Sequence, residues 1–166
     1  MVFLRPILQE DREGMLDILT SEQVSRTYML PDYEHRDSAL PLFRRLMEMS
    51  MDKTKYVRAI AAGDRLVGYL NHTDIQNNTI ELGYVIHPAF HGRGYMTEAL
   101  RFAIKELFAM GYQEVIAGAF EDNAASIRVM EKCAMTKLGK TDEIEYRGKI
   151  HNCVYYSRKI QENETC

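Results

Sequence analysis

The stretch that decides the reading runs from His87 to Leu100, HPAFHGRGYMTEAL. Two glycines, Gly92 and Gly94, flank Arg93, and an amphipathic helical pattern begins directly after them. Immediately upstream, TIELGYVI alternates like a strand. Ile80, Leu82, Tyr84 and Ile86 share one face, and Glu81, Gly83 and Val85 the other. Gly83 inside that strand signals a bulge or a close ligand. A glycine-rich turn between strand and helix aims backbone N–H groups at an anion, phosphate above all. Downstream, Met96, Leu100, Ala103, Ile104, Leu107 and Phe108 form the helix's apolar stripe, and Gly111 stands where its C-cap belongs.

Toward the N-terminus, VFLRPIL predicts a first strand. Asp11 is placed to cap a helix that carries Met15, Leu16 and Leu19. Residues 20–35 read as irregular or as short helical turns. A further helix is predicted from Ser38 to Met51 on Ala39, Leu42, Phe43, Leu46 and Met49, with Pro41 tolerated in its first turn. Strands KYVRAIAA and RLVGYLNHTDI follow, with turns at Gly63-Asp64 and Asn77-Asn78. EVIAGAF is a short, nearly all-apolar strand, the pattern of one covered on both faces. Asn123 caps another helix, through about Cys133. The chain closes in a long hairpin turning near Tyr146-Arg147-Gly148. The order is α+β: a meander, a strand–helix–strand crossover, a helix and a hairpin. One domain over residues 1–160 and a polar tail over 161–166 are expected.

A chain of 166 residues is long enough to bury one core. With 46% apolar and 27% charged residues it is globular in composition rather than disordered. A net charge of -3, from 21 basic and 24 acidic residues, argues against a nucleic-acid partner. Cys133, Cys153 and Cys166 share no CxxC spacing and suit unpaired thiols in a reducing compartment. Arg5, Pro6, Glu10 and Asp11 interrupt the N-terminus before a signal-peptide core could form. No stretch reaches the ~18 apolar residues of a membrane span. A soluble, cytoplasmic domain without a membrane partner is expected.

Three phosphate-binding turns compete for the glycines. A P-loop would need GxxxxGK and a hydroxyl residue, which are absent. A dinucleotide fingerprint would need a third glycine, and Ala99 is at the wrong spacing. A lone GxG also fits a plain tight turn. A second element decides. HGRGYMTEAL followed by EDNAASIRVMEKCAM, with the opening LRPILQED, resembles the GNAT acetyltransferase superfamily, in particular its ribosomal-protein N-terminal acetyltransferase-like branch. The family's pyrophosphate turn is Gln/Arg-x-x-Gly-x-Gly/Ala. His91-Gly92-Arg93-Gly94-Tyr95-Met96 keeps the central Gly94 and departs at both ends. The resemblance runs the whole chain, in the expected element order.

The resemblance implies a GNAT fold: a central mixed, mostly antiparallel sheet flanked by helices, with a closing C-terminal β-hairpin. It implies an acetyl-CoA-dependent N-acetyltransferase, a monomer or homodimer, that passes the acetyl group directly to a primary amine in a ternary complex. The acceptor would be a protein N-terminus or a small amine. Amides from His91 through Gly92, Arg93, Gly94, Tyr95 and Met96 to Thr97 would cradle the pyrophosphate. The strand edge Tyr84-Val85-Ile86 would pair with the pantetheine arm, and Asn123 and Ser126 would contact it. Val85 or Ile86 would polarise the thioester carbonyl. Glu81 would serve as base, and Asn123 could stabilise the sulfur. Tyr28, Tyr33 and Tyr146 would line the acceptor side. Many relatives carry a tyrosine proton donor where this chain has Met130, so that role is not transferred.

Plainer readings stand beside these. Asn123 can be only an N-cap, and Glu81 only a solvated strand carboxylate. His87 and His91 are spaced like a helical metal pair, but Pro88 puts them in a loop without further ligands, and no metal is expected. Cys133 reads as a buried, inert thiol. Two rival functions remain: a catalytically idle acetyl-CoA-binding module, and a nucleotide-binding protein that uses the same turn.

Overall fold

Turn chemistry sets the strand order. In the computed structural model, which describes residues 1–164, Gly63, Asn77, Arg147 and Gly148 take positive φ (60°, 53°, 52° and 73°). They sit in tight connections of β2 (Val57–Ala62) to β3 (Arg65–Gln76), β3 to β4 (Thr79–Ile86), and β6 (Thr136–Tyr146) to β7 (Lys149–Lys159). Left-handed residues let such short loops follow the strand twist. With β1 (Phe3–Arg5) and β5 (Glu114–Phe120) these strands form one seven-stranded sheet, in the order β1-β2-β3-β4-β5-β7-β6. β1–β2, β2–β3, β5–β7 and β6–β7 pair antiparallel, while β4–β5 pair parallel. The parallel pair requires a crossover, and α4 (Tyr95–Ala109) supplies it. The expected mixed, mostly antiparallel sheet with a closing hairpin is the one the chain forms.

Internal contacts divide the chain into two units, Met1–His72 with Tyr84–Ala99, and Thr73–Gly83 with the chain from Leu100 onward. The first contains α1 (Arg12–Leu19), α2 (Glu22–Ser25) and α3 (Leu40–Met51). Met15, Leu16 and Leu19 of α1 join Phe43 and Leu46 of α3 in one core with Tyr69 and Val85. Ala39, expected on the α3 face, belongs to a 3-10 turn that leads into that helix.

Asp11 does not cap α1 through its side chain. Its buried carboxylate accepts hydrogen bonds from Arg5 at 2.6 and 2.8 Å and from the Leu8 amide at 2.8 Å. A carboxylate taken out of water needs a charge partner and satisfied lone pairs more than a helix end needs a cap. The same bond, opposed by burial, raises the Arg5 pKa. Replacing Asp11 with alanine would strand a guanidinium and an amide, and should cost about 3–5 kcal/mol of unfolding free energy. Urea unfolding would read this against Glu22→Ala. That variant removes a pair of 3.0 Å between side chains that are 82% and 71% exposed, and should cost at most about 1 kcal/mol.

In the second unit, Leu100, Ala103, Ile104 and Leu107 of α4 are buried as the stripe predicts. The helix ends at Gly111 (φ 103°), whose amide meets the Phe108 carbonyl while Tyr112 N–H reaches Leu107. β5 is buried on one face at Val115, Ala117 and Ala119, and on the other it is partly covered, with Ile116 and Gly118 half-buried and Phe120 buried. Its apolar composition reflects a partly covered face, not two sealed ones. β6 takes the edge and carries exposed Lys137, Lys140, Glu143 and Glu145, charges that discourage further strand pairing. Of the expected tail, Glu162–Glu164 form a 3-10 turn, with Glu164 paired to Arg158 and accepting from the Gln161 amide at 3.1 Å. Thr165 and Cys166 lie outside the described residues. Among those described, no helix is long and apolar enough to cross a membrane.

Candidate active site

The glycine turn and the strand end before it lie in the first unit. Gly92 and Gly94 take φ of 74° and 75°, and a Cβ on either would meet nothing within 4 Å. They are needed for backbone conformation, not for space. Helical bonding of α4 begins with Glu98 N–H to the Gly94 carbonyl at 3.1 Å. The amides of Arg93 to Met96 therefore come before the first helical bond, where N–H groups point along the axis and the helix dipole favours negative charge. This donor set suits a pyrophosphate, which asks for N–H groups rather than a metal.

Both histidines are occupied in shaping the turn. His87 Nδ1 accepts from the Ala89 amide at 3.1 Å, within the 3-10 turn Pro88–Phe90. His91 Nε2–H donates to the Ile86 carbonyl at 2.9 Å. His91 thus clasps the turn to the end of β4 from the position where the family motif has Gln or Arg. No cluster of metal-ligating residues occurs among the described residues.

The edge of β4 has a definite polarity. The Val85 carbonyl faces Gly68 of β3, where a Cβ would come within 2.2 Å of it. The His87 amide also faces β3, donating to Val67 at 2.8 Å. Strand alternation then turns the Tyr84 and Ile86 backbone groups away from β3. Of the two residues proposed to polarise a carbonyl, Ile86 has the N–H directed that way. The parallel ladder of β4 with β5 runs only from Thr79↔Glu114 to Leu82↔Ala117, so Tyr84–Ile86 lie beyond its last registered pair.

Tyr28 and Tyr33 also belong to this unit, half-buried against its core. The Tyr28 hydroxyl donates to Asn71 Oδ1 at 2.6 Å, its ring stands edge-on to Tyr69, and burial pushes its pKa up to about 12. Burial raises Tyr33 as well.

Glu81, Asn123, Ser126 and Tyr146 lie in the second unit. Asn123 is the N-cap of α5 (Ala124–Lys132): its Oδ1 accepts from the Ser126 amide at 3.2 Å. The cap uses the oxygen, so a ligand would meet Nδ2. Met130 is fully buried. Cys133 is buried too, its thiol pushed up to about 11 by desolvation.

The sheet face that carries Glu81 also presents residues the sequence did not single out. The register places Glu81 beside Ile116 and Ile116 beside Ser157, with Gly118 beside Tyr155. Tyr155 lies over Gly118, where a Cβ would come within 2.9 Å of its ring. Its hydroxyl donates to Asp142 Oδ2 at 2.9 Å, and Lys140 stands 4.5 Å over the ring. Burial first, then Asp142 and Glu81, hold the phenol well above its ordinary pKa. Burial, Asp142 and Glu81 likewise push the Cys153 thiol up. Glu81, Asp142, Cys153 and Tyr155 therefore form one electrostatic group. Beside them Phe120 stacks on His151 at 4.2 Å, with Tyr146 6.2 and 6.0 Å from the two rings. A depression of about 350 Å³ lies along Glu121, Asp122 and Lys149–Asn152. The spacing of tyrosines on β6 and β7 alone carries no signal of this grouping, because only the strand register creates it.

Residues 2–136 match the family model of an acetyltransferase (GNAT) domain. The chain is 24% identical over 151 residues to an uncharacterized N-acetyltransferase, YoaA, of Bacillus subtilis (strain 168), spanning 88% of this chain and 85% of that protein. It shares the fold of RimL, a ribosomal L7/L12 alpha-N-protein acetyltransferase solved with coenzyme A (TM-score 0.84, 19% identity, 96% and 94% of the two chains). It likewise shares the fold of spermidine N-acetyltransferase from Vibrio cholerae, solved with CoA and spermine (TM-score 0.80, 15% identity, 95% of each chain). With the family model covering most of its length, and with the sheet, crossover helix and glycine turn in place, this chain belongs to the GNAT acetyltransferases.

Proposed function

We propose that the protein is an acetyl-CoA-dependent N-acetyltransferase that passes the acetyl group directly to a primary amine, a protein N-terminus or a small amine. The observation that carries this reading is the turn of two left-handed glycines that opens α4 directly after β4. Acetyl-CoA supplies an activated acetyl thioester. The amides of residues 92–97 would hold its pyrophosphate, the His91 amide being turned instead to the Pro88 carbonyl at 3.3 Å, and Tyr84–Ile86, Asn123 and Ser126 would hold its pantetheine arm. Ile86 N–H would stabilise charge developing on the carbonyl oxygen. Glu81 would take the proton of the attacking amine, directly or through water. Tyr155, its own proton held by Asp142, offers oxygen lone pairs and can orient an N–H donor. Tyr28, Tyr33 and Tyr146 are proposed acceptor-side residues. Unpaired Cys133 and Cys153 suit the reducing cytoplasm in which we place the enzyme.

Mass spectrometry on amines incubated with acetyl-CoA and the protein tests the reading. Ala- and Ser-started peptides, polyamines, amino acids and an aminoglycoside make up the panel. An acetylated product in one class establishes the reaction and its acceptor. CoA binding with no product anywhere would select the idle binding module, the reading that buried Met130 favours. The His91 clasp gives a second test by calorimetry. His91→Ala should weaken CoA binding about tenfold, the worth of one good hydrogen bond that orders the turn. His91→Gln, which can still donate, should recover most of it. Wild-type affinity in the alanine variant would show that the clasp does not shape the turn.

A further inference from the structure

Beside the glycine turn, in the same unit, two arginines converge on one aromatic ring. The Arg65 guanidinium lies 5.8 Å from the Phe90 centroid and the Arg93 guanidinium 5.4 Å from it. The local structure explains the meeting. Val67 of β3 accepts from the His87 amide, so the start of β3 runs alongside the 3-10 turn Pro88–Phe90. That brings Arg65, the first residue of β3, to Phe90, while Arg93 reaches the ring from three residues further along the turn.

Both guanidiniums are within cation–π range of the half-buried ring. Two cations on one ring repel each other. Among the described residues neither Arg65 nor Arg93 has a carboxylate partner or a side-chain hydrogen bond, unlike Arg5 and Arg36, which are bound to acids. Two exposed guanidinium forks on one ring, neither neutralised by a carboxylate, make a cationic point whose donor geometry suits a phosphate.

We propose that Arg65 and Arg93, carried on Phe90, bind the ribose 3′-phosphate of coenzyme A. This rests on the reading of the glycine turn as the pyrophosphate cradle. The turn's backbone amides already answer the pyrophosphate, whose phosphorus centres carry about one negative charge each. The other anion of the same molecule is a phosphate monoester with nearly two charges and three acceptor oxygens, a match for two guanidinium forks. Recognition at this point distinguishes coenzyme A from its dephospho form and from ADP-like ligands.

Calorimetric titration of the whole chain with CoA and with 3′-dephospho-CoA tests the proposal. CoA should bind at least about tenfold tighter, the share of one or two charge-assisted hydrogen bonds at an exposed site. Arg65→Ala should remove most of that difference while leaving dephospho-CoA binding as it is, and Arg65→Lys should keep part of it. Equal binding of the two ligands would overturn the proposal, as would an Arg65→Ala variant that loses both to the same extent. If neither ligand binds, the cradle reading itself has failed, a result distinct from loss of discrimination.

Discussion

Gly68→Ala should lower the thermal midpoint by about 6–12 °C, on an overpacking cost near 3 kcal/mol and the midpoint sensitivity of a chain this size. The added methyl would sit 2.2 Å from the Val85 carbonyl and 2.9 Å from Ile86 Cδ1. The first contact is backbone, so no rotamer change relieves it. β4 must move away from β3, and it is the residues proposed to face the thioester that move. The same variant should therefore lose CoA affinity as well as stability. Gly139→Ala is the control, since a Cβ there meets nothing within 4 Å, and should stay within about 0.5 kcal/mol of the parent. Differential scanning calorimetry reads both variants. An unshifted midpoint for Gly68→Ala would mean that β3 and β4 do not approach this closely.

The second large effect is chemical. Glu81→Gln should reduce kcat/KM for the amine acceptor by about a hundredfold or more, the usual range for loss of a positioned base. CoA binding should not change, because Glu81 is proposed to meet the amine and not the cofactor. A lysine-like amine, with a pKa of about 10.4, is almost wholly protonated at neutral pH, while an α-amine near 7.7–8.0 is about a tenth neutral. The deficit should thus be larger for the more basic acceptor and should shrink as pH rises and solvent takes over deprotonation. Turnover of Glu81→Gln equal to the parent across about pH 6–9 would leave Glu81 as a strand carboxylate whose charge merely bears on Tyr155 and Cys153.

What the sequence makes legible is what local backbone chemistry dictates. Gly92 and Gly94 announce a turn because few other residues tolerate their φ, and Arg147-Gly148 closes the hairpin for the same reason. The α4 stripe and the Asn123 cap need only neighbours three or four residues away. Where partners lie farther off, local pattern misleads. Asp11 ahead of a helix looks like a cap, and only burial beside Arg5 makes it an ion-pair partner. Gly68 interrupts an otherwise ordinary apolar strand, and the close approach of the Val85 backbone to it leaves no local sign in the sequence. The position in α5 where many relatives carry a proton-handling tyrosine holds buried Met130. Tyr155 becomes visible only once β7 is registered between β5 and β6.

The buried thiols carry a consequence for the handling of an acetyl thioester. A protein that keeps a reactive acyl donor at hand risks labelling itself whenever one of its sulfurs ionises. Desolvation pushes the Cys133 pKa up to about 11, so its sulfur stays a thiol at neutral pH. Burial first, then the charges of Asp142 and Glu81, raise the Cys153 thiol. If the protein holds acetyl-CoA as proposed, these two buried thiols would compete poorly with an incoming amine for the acetyl group.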